Sequence, residues 1–136
     1  MKPILLGLIT SMLCLAQLPA SMETGGALNG RFWTGIQLDG KRMFLTGFVE
    51  GFHVASAQDS SRGQIDQAWL PQHGIVDDAV KGLDKFYAQP ENLRLPIIFA
   101  IRVFAMQVAG KPQPEIDRSI TGFRNAANAS EKKSLQ

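Results

Sequence analysis

Pro96-Ile97-Ile98-Phe99-Ala100-Ile101-Arg102-Val103-Phe104-Ala105-Met106-Gln107-Val108-Ala109-Gly110 is the stretch that decides the fold. Proline suits the first turn of a helix, where its missing N–H is no loss, and glycine suits the position just past the end. Between them the chain is apolar nearly all round, interrupted only by Arg102 and Gln107. A helix apolar on every side is a central buried helix or a membrane span. A span needs ~20 apolar residues at the helical rise, and this body is shorter, so the reading is a buried helix. Arg102 then needs either a carboxylate partner, Glu50 being the candidate, or a route for its guanidinium to the surface.

The flanking sequence supplies helices to cover it. Ile75 to Ala88 carries Val76, Val80, Leu83 and Tyr87 at helical spacing, opposite Asp77, Asp78, Lys81 and Lys85, and Gln89-Pro90-Glu91-Asn92 turns the chain. Pro112 and Pro114 open a last helix with Ile116, Ile120 and Phe123 along one stripe. Upstream, a short helix from about Leu28 to Ile36 buries Phe32 and Trp33, and Asp39 is placed to cap a second helix reaching about Ala57. Gly47 and Gly51 lie on one side of that second helix with Phe44 and Phe48. Each interior glycine costs ~1 kcal/mol relative to alanine, which predicts close approach of another helix there. Strand-like alternation is nearly absent. The expectation is an all-α fold, a compact bundle of about five helices with the second and fourth central. A single helical domain covers residues 27–127, after a small, polar start, and residues 128–136 form a mobile C-terminal tail of low apolar content.

The N-terminus reads differently. Lys2, the apolar run Ile4 to Leu18 and the exit Leu18-Pro19-Ala20 are the three parts of a signal peptide, with cleavage expected after residue 20. Cys14, the single cysteine, lies inside that run after the bulky Leu13, which does not fit an acylated lipoprotein site. The expected mature protein is exported, periplasmic or secreted, and keeps no stable membrane anchor after cleavage. Without cysteine it is held by a hydrophobic core, and disulfides, thiolate metal sites and cysteine nucleophiles are excluded. The 14 basic and 12 acidic residues nearly balance and form no basic stripe, which argues against nucleic acid as a partner.

Chemistry-bearing patterns are sparse. At helical pitch Arg42, Thr46, Glu50 and His53 share one arc of the second helix, making Arg42, Glu50 and His53 candidates for binding a small ligand. Glu50 and His53, three apart, together with His73 are the candidate metal ligands, although half of a bundle-type carboxylate cage is missing. A solvated polar face accounts for the same residues. No nucleophile elbow, zinc-protease helix, P-loop or dinucleotide fingerprint occurs, so no catalytic residue and no cofactor is assigned, and a non-enzymatic protein is expected. The polar stretch Gln58 to Gly74 is long for a loop in a small domain, and Ile65, Trp69 and Leu70 within it are candidates for contact with a partner protein or for tacking the loop onto the core.

Gly47-Phe48-Val49-Glu50-Gly51, a polar loop, Val80-Lys81-Gly82-Leu83-Asp84-Lys85-Phe86-Tyr87 and then Pro90-Glu91-Asn92 give a further comparison. Over about Phe44 to Val108 this pattern resembles small exported helical proteins of the Rap/Tai type, immunity proteins that neutralise type VI secretion amidase effectors in the periplasm. The resemblance implies a helical fold and a steric mechanism, in which a loop or helix end occludes the effector's cleft, with the Trp69 loop as first suspect. The family's members carry paired cysteines, whereas here the only cysteine precedes the expected cleavage point.

Overall fold

The computed structural model describes residues 22–58 and 76–134. Five helices pack together: α1 (Gly30–Gly35), α2 (Leu38–Gln58), α3 (Val76–Tyr87), α4 (Ile97–Val108) and α5 (Gln113–Ser134), with a 3-10 turn at Pro90–Asn92. The fold is an all-α bundle. Its only sheet among the described residues is a minute hairpin of β1 (Glu23–Thr24) and β2 (Ala27–Leu28), paired antiparallel. Gly25 and Gly26 make the turn with φ of 60° and 77°, the two positive values that a tight two-residue hairpin loop requires.

The small, polar start expected to precede the domain at residue 27 is therefore, from Glu23 on, part of the fold. Asn29 explains why. It is fully buried, its side chain accepts from Arg31 N at 3.0 Å to cap α1, and its amide donates to Thr24 Oγ1 at 3.1 Å. The backbone of Asn29 also bridges to Pro96, so one residue ties the hairpin to the starts of α1 and α4.

α4 sits centrally, with Ile97, Ala100, Ile101, Val103 and Ala105 buried between α3 and α5. α3 shares that position, touching α1, α2, α4 and the 3-10 turn through Ala79, Val80, Leu83, Phe86 and Tyr87. α2 joins through Leu45 and Val49. α4 is not covered all round: Ile98, Arg102 and Val108 reach the surface. The Arg102 guanidinium lies 5.6 Å from the Phe123 ring, which itself stacks on Phe99 at 4.3 Å. Arg102 is thus exposed, with its charge over an aromatic face.

α4 ends as its sequence requires. Gly110 adopts φ +67°, Gly110 N bonds Gln107 O, and Lys111 N bonds Met106 O, the paired closure of a helix by a left-handed glycine. Where a mobile tail was expected from residue 128, α5 continues to Ser134. The alanines at 126, 127 and 129 favour helix, Ala127 is buried, and Asn128 accepts from Arg94 Nη2 at 3.0 Å. Among the described residues no helix is long and apolar enough to cross a membrane.

Candidate functional site

Gly47 and Gly51 contradict their expected role. A Cβ added at either meets nothing within 4 Å among the described residues, and both are exposed. The close approaches occur elsewhere: a Cβ at Gly82 lies 2.5 Å from the Phe104 ring, and one at Gly30 collides with Tyr87. α2 instead presents an open face. Opposite the buried Leu45 and Val49 stand Met43, 76% exposed, and Val54, 58% exposed, on either side of the two glycines. Beside this face Phe44 and Phe48 border an apolar groove of about 180 Å³, closed by Leu28, Ile97, Ile98 and Ile101.

The polar arc on the same helix lies at the surface. Arg42 is tied down by neighbouring carboxylates: its Nε donates to Asp77 Oδ1 at 2.8 Å and its Nη1 to Asp39 Oδ1 at 3.1 Å. The hydrogen bond to Asp77, then that to Asp39, raises the Arg42 pKa, and the same bond from Arg42 lowers that of Asp77. Glu50 and His53 stand exposed. Asp39, expected as the cap of α2, falls inside its first turn because the helix begins at Leu38. No group of three or more His, Cys, Asp or Glu positioned to hold a metal occurs among the described residues. Ile65, Trp69, Leu70 and His73 lie outside them.

A second concavity was not foreseen. α3 and α5 flank α4 and leave a cleft of about 500 Å³ over it. α5 lines it with Gln113, Asp117, Thr121 and Arg124, one stripe at helical spacing, α3 with Lys85 and Phe86, and the turn after α3 with Gln89. At one end Arg124 is held by neutral acceptors: Nε and Nη2 donate to Asn92 Oδ1 at 3.1 and 2.8 Å, and Nη2 also reaches Gln89 Oε1 at 3.4 Å. Asn92 is 1% exposed and is fixed by donating to Phe86 O at 2.8 Å. Toward the other end Gln113 donates to Asp117 Oδ1 at 2.8 Å. Each stripe was legible as a helix face, but nothing in the sequence said that the two faces share one cleft.

No family model, curated protein or solved structure matches the chain.

Proposed function

We propose that this is an exported helical protein that acts by contact with another protein, through the open face of α2 and the apolar groove beside it. One observation carries the reading: Gly47 and Gly51 stand in the interior of a long helix with nothing over them among the described residues, flanked by the exposed Met43 and Val54. Glycine there weakens the helix by ~1 kcal/mol each and gives the described fold no packing in return. A partner helix seated on the two glycines would approach the α2 backbone closely, while Met43 and Val54 grip its sides and Phe48 leads into the groove. The segment around Trp69 follows α2 in the sequence and is a further candidate for the same contact. The likeness to immunity proteins supports a specific form of this function, steric inhibition of a cell-wall amidase.

The test is affinity capture from periplasmic extract with the wild-type protein, Gly47→Arg, Met43→Asp/Val54→Asp and Trp69→Ala. The proposal expects a partner retained by wild type and lost with the α2 variants while their melting temperatures hold. A partner bound equally by wild type and both α2 variants would refute the surface. Inhibition of the captured partner's amidase activity tests the immunity form.

A further inference from the structure

The cleft between α3 and α5 carries charge that the fold does not neutralise. Among the described residues Arg124 is bonded only to amide oxygens of Asn92 and Gln89, and Lys85 has no carboxylate partner. Asp117 is bonded by the neutral Gln113 and likewise has no cation beside it among the described residues. Some charges elsewhere are paired, Lys41 with Asp84, Arg42 with Asp39 and Asp77, Lys111 with Glu115, but among the described residues those in the cleft are not. One concavity therefore holds unneutralised charges of both signs, with amides between them.

The spacing sets the size of what fits. Asp117 and Arg124 lie two turns apart on α5, ~10 Å along its axis. An extended chain advances ~3.3–3.6 Å per residue, so a backbone of about three residues bridges that gap. A volume of about 500 Å³ suits a small molecule of that kind. Phe86, Val103 and Ile120 give the cleft an apolar lining for short side chains, and the amides of Gln107 and Gln113 suit peptide groups.

We infer that this cleft binds a short unblocked peptide of about two or three residues, its carboxylate toward Arg124, its ammonium at Asp117, and the Lys85 charge on the facing wall adding to the pull on the carboxylate. Asn92 and Gln89 hold the Nε–Nη2 edge of Arg124, so the carboxylate meets its Nη1 donors, and the two opposite charges at the ends of the cleft set the direction. The site is separate from the α2 face and stands or falls independently of it.

The test is calorimetric titration of the purified protein with trialanine, its C-terminal amide, its N-acetyl form and inorganic phosphate. Trialanine is expected to bind at one site, and each blocked form to bind about tenfold or more weakly, because each leaves one charge in the cleft unmatched. Lys85→Gln and Asp117→Asn should each weaken trialanine by a similar factor. Arg118→Gln, which removes a positive charge from α5 outside the cleft, should not. The peptides act on the unaltered protein, so the result does not depend on any variant folding. Absence of trialanine binding, equal binding of the blocked forms, phosphate binding as tight as trialanine, or an equal loss in Arg118→Gln would each overturn the inference.

Discussion

Trp33 Nε1 donates to Asp84 Oδ1 at 2.8 Å, joining α1 to α3 across 51 residues of sequence. The indole is fully buried, and Lys41 reaches the same carboxylate oxygen at 2.7 Å while its ammonium lies 5.4 Å from the Trp33 ring. One oxygen thus satisfies a buried donor and anchors a cation over its ring. Asp84→Ala removes the acceptor and leaves the indole N–H without a partner, at a cost of about 1–3 kcal/mol. Asp84→Asn keeps an acceptor and should cost less. Urea unfolding of both variants checks the order, and equal losses would show that the indole bond contributes little.

The helix glycines should divide into two classes. Gly47→Ala and Gly51→Ala meet open space and should each stabilise the fold by up to about 1 kcal/mol. Gly82→Ala places a methyl 2.5 Å from the Phe104 ring and should destabilise despite the better helix propensity. Thermal melts of the three variants decide this. If Gly47→Ala also weakens capture of a partner while raising the melting temperature, stability and function at that face are opposed.

Tyr87, the single tyrosine, is buried and donates its hydroxyl to Leu95 O at 3.0 Å. Burial raises its pKa above the ordinary phenol value. The folded state then holds its proton where an unfolded chain, with a pKa of ~10, releases it. Its contribution to stability is full below that pH and is lost as pH rises toward the folded value. Absorbance of tyrosinate should therefore appear together with loss of helical circular dichroism. Smooth titration near pH 10 in a still folded protein would contradict the burial.

Asp77 acts at the other end of the pH scale. Its hydrogen bond from Arg42 lowers its carboxyl pKa, so the stability it contributes is present above the ordinary carboxylate range and is lost as pH falls through the lowered value. The pair is exposed, so the effect is small and salt-sensitive. Asp77→Asn should flatten the acid limb of a stability–pH curve slightly, and more at low ionic strength than at high.

Much of the architecture was legible because local signals agreed. Pro96 and Gly110 marked the ends of α4, and Val80, Leu83 and Tyr87 gave α3 its buried face. What escaped depended on distant pairing. A glycine in a helix reads the same whether a neighbour presses on it or nothing does, so Gly47 and Gly51 were assigned the approach that Gly82 makes. The hairpin was missed because two-residue strands are too short to show alternation, and the end of α5 because alanine carries helix propensity without a polar or apolar pattern. Arg42, Glu50 and His53 share a helix face, but a shared face is not a cavity. Both concavities instead require residues from separate elements: the apolar groove joins β2, α2 and α4, and the polar cleft joins α3, α4 and α5.

The clasp at Asn29 bears on the order in which the domain closes. Its bridge to Pro96 and the contact of β1 with α5, where Gly25 faces Ser130, join the beginning of the fold to its last two helices. A growing chain exposes that hairpin first and its binding sites last. Closing so long a loop costs entropy before any contact repays it. The domain consequently has no complete form until its final helix has been made.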